Sequence, residues 1–266
     1  MSCKALVMTA PGINCDLELA HAFEQAGATV ESLTFGRLAR EPGLIDGFEL
    51  IGLPGGFSYG DDVAAGRVLA TLIRQNLYSA LAAAVQRGCP MIAPCNGFQV
   101  AVQAGLLPGP QEGEPWPETP PPPTVSLATN ASATFMDRWT RMEAPAETIS
   151  IWTRGVDFSG DGGMLPSAHG EGRFVAEDDV LDELESSGRV ALRYTDEDNF
   201  NGSMRRVAGI CDATGLVLGL MPHPERITRW SQHPSWTRLD GKVREQDPPG
   251  LAMFRNAVTY ASSVLA

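Results

Sequence analysis

The chain has 266 residues, 43% of them hydrophobic, and a formal net charge of -12. Such an acidic balance argues against nucleic-acid binding, which needs clustered Lys and Arg on phosphates. No apolar run approaches the roughly 18–20 residues of a membrane helix, so no membrane partner is expected. The five cysteines (Cys3, Cys15, Cys89, Cys95, Cys211) form no CxxC pair and no framework spacing, which predicts free thiols in a reducing compartment. Met1 to Thr9 lacks the basic stretch and long apolar core of a secretory leader, so the expected compartment is the cytoplasm. Four histidines without a Cys/His cluster predict no metal site.

In chain order, Lys4 to Thr9 is an apolar run that reads as a buried strand, followed by a turn at Pro11-Gly12. Asn14 is a candidate cap for a helix with apolar positions Leu17, Ala20, Phe23 and Ala26, stopped by Gly27. Thr29 to Thr34 and Leu50 to Leu53 read as strands, the latter running into Pro54-Gly55-Gly56. Ala64 to Gln86 reads as helix, in one piece or two, with Gly88 as its stop. Pro90 to Pro94 is a fourth strand leading to Cys95. Alternating strands and helices predict an α/β three-layer sandwich with a mostly parallel central sheet and ligands at the strands' carboxyl ends. Pro108 to Pro123 breaks the rhythm. Proline locks φ and removes donors, so this segment is expected as an extended or mobile surface excursion from one domain spanning 1–266. Beyond it, Thr124 to Trp152 alternates like β structure. Asp179 to Ser187 reads as a short helix. Arg189 to Tyr194, Met204 to Cys211 and Leu216 to Leu220 read as strands, and Leu251 to Leu265 as a closing helix. Arg226 to Arg244, the one basic stretch, reads first as a solvated loop and second as a partner-facing surface.

The chemistry centres on Met91-Ile92-Ala93-Pro94-Cys95-Asn96-Gly97-Phe98-Gln99. An apolar strand, a sharp turn and a helix start make a nucleophile elbow with Cys95 at its tip. A helix N-terminus favours an anion there, and the thiolate is the attacking species. Met221-Pro222-His223-Pro224-Glu225-Arg226 supplies the complement: His223 as general base and acid, and Glu225 as the orienter of its imidazole. A His-x-Glu alone is weak evidence of a site; the cysteine elbow gives it meaning. The N–H of Asn96 follows the nucleophile and can donate to an oxyanion, with a second donor from Gly56 in the Gly55-Gly56 pair, where backbone can approach substrate closely. Gln99 shares the helix face of Cys95. It contacts the polar end of a substrate or, alternatively, is a buried amide satisfied by the protein. Cys3, Cys15, Cys89 and Cys211 read as structural thiols.

Together these motifs resemble the class I, triad-type glutamine amidotransferases, a flavodoxin-like fold, and within them the glutaminase subunits of phosphoribosylformylglycinamidine synthase. The resemblance rests also on Gly12-Ile13-Asn14-Cys15-Asp16 with Ala20-His21-Ala22-Phe23, on Leu53 to Asp62 with Ala65-Gly66, on His169-Gly170-Glu171-Gly172-Arg173-Phe174 and on Asn201-Gly202-Ser203. It runs from about residue 4 to the C-terminus. One departure stands at the elbow, where Ala93-Pro94 precede Cys95 in place of the family's Gly-x. It predicts a slight re-aiming of the turn.

The resemblance implies that glutamine binds, Cys95 attacks its side-chain amide and His223 protonates the departing ammonia. Water then releases glutamate from a thioester. It places the oxyanion donors at Gly56 and Asn96 and a glutamine contact at Gln99. The ammonia passes to a large synthetase subunit, a small third protein being the other candidate partner, and the product is formylglycinamidine ribonucleotide in purine (IMP) biosynthesis. The chain has neither a P-loop nor a Gly-x-Gly-x-x-Gly motif, so ATP and Mg are expected on the synthetase and no cofactor in this chain. The competing readings are a γ-glutamyl hydrolase or cysteine peptidase of the same architecture, and an inactive scaffold of the synthetase complex.

Overall fold

The structure, a computed structural model, describes residues 3–265. The chain begins β1 (Lys4–Thr9), α1 (Asp16–Gln25), β2 (Thr29–Thr34), α2 (Phe35–Arg40), β3 (Leu50–Gly52), α3 (Arg67–Asn76), α4 (Tyr78–Gln86), β4 (Met91–Pro94) and α5 (Asn96–Ala104). A stretch of short strands follows: β5 (Val125–Thr129), β6 (Met136–Thr140), β7 (Met142–Glu143), β8 (Leu165–His169) and β9 (Glu171–Ala176). The chain then forms α6 (Asp178–Ser186), β10 (Val190–Tyr194), β11 (Val207–Cys211), β12 (Val217–Leu220), the short α7 (Gly241–Arg244) and α8 (Pro249–Val264).

Eight strands form one sheet in the order β2-β1-β3-β4-β12-β11-β10-β7. From β2 to β12 the neighbours are parallel, and from β12 to β7 they are antiparallel. The sheet is therefore mixed, with its parallel part where the βα rhythm was legible. The β11–β12 hairpin turns at Asp212 to Gly215, which needs no crossover helix. Alternation in β1 sets the two covering layers. Ala5 and Val7 join a core with Leu19 and Phe23 of α1 and with Phe254 and Ala257 of α8, where the Phe23 and Phe254 rings meet edge-on at 5.1 Å. Leu6 and Met8 join the opposite core with Leu69 and Ile73 of α3, Leu81 of α4 and Phe98 of α5. No single described helix is long and apolar enough to cross a membrane.

Several expectations need correction. The buried face of α1 is Leu19, Ala22 and Phe23, whereas Leu17 is 77% exposed. The helix begins after Cys15, not Asn14, and the sheet selects the stripe one step around from Leu17. Residues 35–47, to which the sequence assigned no element, form α2 and a following 3-10 turn. In Thr124 to Trp152 only β5, β6 and β7 are strands, and the pairing partners of β5 and β6 are β9 and β8. The strand at Met204 begins later, at Val207, after a 3-10 turn.

The proline-rich segment is extended and largely exposed, as proline dictates, but it is tied down. Arg74 of α3 donates to the carbonyls of Pro120 and Pro121, both at 2.8 Å, and the buried Arg189 donates to the carbonyl of Pro108. Trp116 packs its ring against Tyr78 of α4. Charge-assisted bonds to carbonyls hold a chain that has few donors of its own.

At the elbow, α5 starts so close to the end of β3 that a Cβ at Gly97 would lie 2.0 Å from the Leu53 carbonyl oxygen. That contact is with backbone and cannot rotate away. Gly97→Ala is therefore expected to cost about 2 kcal/mol or more of stability, from the overpacking range. Urea unfolding would show it, and wild-type stability would contradict the close approach.

Candidate active site

The site lies where the parallel strands end. The loops after β1, β3, β4 and β12 converge on a cleft of about 360 Å³, and the turn between β8 and β9 closes its far wall with Ala168, His169, Gly170 and Glu171. Carboxyl ends of parallel strands are the natural place for a ligand site.

Cys95 caps α5 with φ 51° and ψ -109°, a left-handed conformation that L-residues adopt rarely. Strain of this kind costs about 1–3 kcal/mol and persists only where the surroundings enforce it. Here the Cys95 N–H donates to Leu220 of β12 at 2.7 Å, and the Cys95 carbonyl accepts from Phe98 and Gln99 in the first turn of α5. The sulfur is 7% exposed at the residue level, opens onto the cleft and approaches the Ala168 carbonyl at 3.6 Å. Ala93 and Pro94 fit without disrupting the ladder. Cys95 N–H and Met91 N–H point to β12, so the Pro94 nitrogen faces the β3 side, past the last β3 residue, Gly52. The Ala93 methyl is absorbed in the core.

His223 and Glu225 reach the cleft from the loop after β12. His223 N–H donates to the Pro166 carbonyl at 2.8 Å, and Nδ1 of His223 stands 2.6 Å from Oε1 of Glu225. Both residues are 2% exposed. Burial opposes charge on this imidazole. The Glu225 carboxylate and the Cys95 sulfur, with the Cys15 sulfur nearby, outweigh it and hold the ring well above its ordinary pKa. His169, also buried, behaves oppositely: burial, and then the charge of His223, push it down to about 4. Asn130 donates from Nδ2 to the carbonyls of His169 and Thr134, so its Oδ1 accepts from Nδ1–H of His169 at 3.0 Å. Of the two neighbouring imidazoles, positive charge is therefore kept on His223.

Gly55 and Gly56 form the opposite lip. Gly56 has φ +136°, and a Cβ there would lie 2.7 Å from the Asn14 nitrogen, so only glycine fits against the loop after β1. Among the described residues, neither the Gly56 nor the Asn96 N–H has a protein acceptor, which leaves two donors beside Cys95. The Asn96 side chain is structural. Its Oδ1 accepts from Ser58 N–H at 3.2 Å and its Nδ2 donates to Asp61 and Gln99. Gln99 lines the cleft, but its amide is engaged at both ends, by Asn96 and by the Glu171 carbonyl. This matches the alternative in which the protein satisfies the amide.

Sequence reading missed Cys15, Arg226, Asp61, His169 and Glu171 as cleft-lining side chains. All lie in motifs already singled out, so the signal was their place in those runs, not their residue type. Cys15, assigned to the core, is buried as expected but faces the cleft. Its sulfur, with His223 and Glu225, puts donor atoms within 4.8 Å of one another, a set able to hold a metal ion. The Arg226 guanidinium, 2.9 Å from the same sulfur, opposes a cation there. Phe57 and Phe135 stand exposed at the cleft mouth with their rings 6.5 Å apart.

One cleft thus holds a strained cysteine at a strand–helix turn, a buried His–Glu pair and two free amide donors. The chain matches the CobB/CobQ-like glutamine amidotransferase domain over residues 2–261. It is 38% identical over 98% of both chains to the phosphoribosylformylglycinamidine synthase subunit PurQ of Dehalococcoides mccartyi. It is 40% identical to that of Mycobacterium bovis, over 88% of this chain and 92% of the other. A chain in a structure of PurLQS from Thermotoga maritima superposes with a TM-score of 0.70 at 30% identity, covering 98% of this chain and 99% of that one. The chain belongs to the PurQ family of glutamine amidotransferase subunits.

Two outcomes follow from the electrostatics. Burial pushes the Cys89 and Cys211 thiols up to about 12. A haloacetamide at neutral pH should therefore alkylate Cys95 in the folded protein and spare those two, as peptide mass mapping would show; equal labelling would contradict it. His223 is raised on folding, so its pairing with Glu225 stabilises fully below the unfolded value of about 6.5, and that stability fades as pH rises through the folded value. The stability lost in Glu225→Gln should thus be largest near pH 6 and shrink above it. Urea unfolding across pH checks this, and a pH-independent loss would contradict it.

Proposed function

We propose that this chain hydrolyses glutamine to glutamate and ammonia at Cys95 and delivers the ammonia to the synthetase subunit of phosphoribosylformylglycinamidine synthase. The observation that carries the reading is Cys95 on its strained elbow in one cleft with the buried His223–Glu225 pair. The Cys95 thiolate attacks the side-chain amide carbon of glutamine. The carbonyl electrons move to oxygen, and the N–H groups of Gly56 and Asn96 receive the oxyanion. As the tetrahedral intermediate collapses, protonated His223 gives its proton to the amide nitrogen and ammonia leaves. A γ-glutamyl thioester remains on Cys95. Neutral His223 then takes a proton from water, which attacks the thioester and releases glutamate and the thiolate. Glu225 holds the ring through Nδ1, so that Nε2 performs both proton transfers.

The PurQ relatives are named as subunits of phosphoribosylformylglycinamidine synthase, and the similar solved structure is named as PurLQS. On that basis we assign the ammonia to a large synthetase partner, with a small third protein in the assembly. ATP and Mg belong to that partner, where formylglycinamide ribonucleotide becomes formylglycinamidine ribonucleotide in purine biosynthesis. The cytoplasm is the proposed compartment.

The deciding assay measures glutamate release by wild type and Cys95→Ala, with and without the cognate synthetase, ATP and formylglycinamide ribonucleotide. Loss of a catalytic nucleophile should lower kcat by about 10³-fold or more. Release should be slow from the isolated chain and rise with the partner, a coupling between two sites. Full activity without the partner would remove the coupling. No release from a folded chain under any condition would favour the scaffold reading.

A further inference from the structure

The proposed chemistry leaves one thiol of the cleft without a task. Cys15 ends the loop after β1 and caps α1, with no side-chain capping bond to that helix. Its residue is 1% exposed, and its sulfur meets two groups from the His223 loop. Nη2 of Arg226 donates to it at 2.9 Å, and it belongs to the set of donor atoms with His223 and Glu225 that lie within 4.8 Å of one another. The fit around it is tight on the remaining side. The Cys15 N–H donates to the Gly55 carbonyl at 3.3 Å. A Cβ at Gly55 would stand 3.0 Å from Cε1 of His223 and 3.3 Å from the Cys15 sulfur, so sulfur and imidazole are packed over the same glycine.

The arrangement has a mechanical meaning. His223, Glu225 and Arg226 lie in one short turn whose backbone is fixed to β8 through the Pro166 carbonyl. Glu225 grips Nδ1 of the imidazole while its Oε2 has no partner among the described residues, so within a turn packed against α8 the ring itself has one polar hold from Glu225. The sulfur of Cys15 supplies an attachment from the other side of the cleft, and Glu18 of α1, 4.0 Å from Nε of Arg226, adds to it. An N–H to sulfur bond with a guanidinium donor is charge-assisted.

We propose that Cys15 is a positioning residue for the glutaminase reaction: its sulfur anchors Arg226 and packs against the imidazole, holding His223 and Glu225 in line with Cys95. The inference rests on the glutaminase reading. Cys15 does not touch the reacting carbonyl in this role and forms no bond with substrate. The charged and titratable groups around the His223 ring are Glu225, Cys95, Cys15 and His169, with Arg226 behind Cys15. Removing Cys15 takes away one of the contacts that favour the protonated ring.

The test uses Cys15→Ala and Cys15→Ser in the whole chain, assayed with its synthetase partner, and circular dichroism to establish folding. A misaligned base costs rate far more than affinity, so kcat in Cys15→Ala should fall by about 10-fold or more while KM for glutamine stays within about 2-fold. Serine keeps an acceptor for Arg226 and should recover part of the loss. Independently of activity, NMR titration of the four histidines should show the His223 midpoint moving to lower pH in Cys15→Ala. A folded Cys15→Ala protein with wild-type kcat and an unmoved His223 midpoint overturns the proposal, as does a change in KM alone. If wild type itself releases no glutamate with its partner, the glutaminase reading fails, and the His223 titration still decides whether Cys15 positions the ring.

Discussion

The site depends on β4 and β12 being parallel neighbours in register. Pro94 lies opposite Leu220, and the Cys95 N–H reaches the Leu220 carbonyl at 2.7 Å. That one ladder bond does two things. It fixes the last backbone donor before the elbow, which makes the positive φ of Cys95 tolerable. It also brings the two strand ends side by side, so that the loops carrying Cys95 and His223 leave the sheet at the same place. A strand inserted between them would separate Cys95 from His223 by a further sheet spacing of about 4.8 Å, beyond proton-transfer distance.

The cost of this arrangement is electrostatic. Burying a His–Glu pair beside the Cys95 thiol removes charges from water, and isolated buried charge is expensive. The structure limits the cost by concentrating charge on one imidazole. His169 is kept neutral by burial and by the charge of His223, Glu225 faces the His223 ring at 2.6 Å, and Arg226 is turned to the Cys15 sulfur. The surrounding packing is correspondingly rigid. A Cβ on Gly250 at the start of α8 would lie 2.0 Å from the Pro224 carbonyl oxygen, so the last helix presses directly on the His223 loop.

Most of the parallel half of the fold was legible because β1, β3 and β4 are short apolar runs followed by turn signals, whereas the short α2 between β2 and β3 carries no such signal. The boundaries of β1, β2 and β4 fell within a residue or so of their expected places. The β5–β9 and β6–β8 ribbons were not legible as pairings. Their partners are separated by a long irregular stretch, and one face of each ribbon is solvated, so periodicity says little about who pairs with whom. At the site, Cys95, His223 and Glu225 could be named from local motifs because each sits in an unusual sequence setting. Cys15 could not, because a buried free cysteine has the same local signature in a core as beside an active site. Its orientation depends on Gly55 and Arg226, one in another loop and one far along the chain.

Leu17 illustrates the same limit from the apolar side. Of the four positions read as its apolar stripe, Phe23 is buried and Ala20 and Ala26 pack at the edge of the core, yet Leu17 is exposed and Leu19 and Ala22 are covered instead, because the sheet and α8 decide which side of the helix is covered. The shift has a consequence for the site. With Leu19 and Phe23 inward against the Gly52 position, where a Cβ would lie 2.7 Å from the Leu19 side chain, α1 is locked to β3 just before the chain enters Pro54-Gly55-Gly56. The first turn of α1 is then fixed relative to the glycine lip, and Cys15 at its cap is fixed with it. Core packing at Leu19 and Phe23 thus determines where the second thiol of the cleft stands, which is why a rule about buried cysteines, applied residue by residue, could not find it.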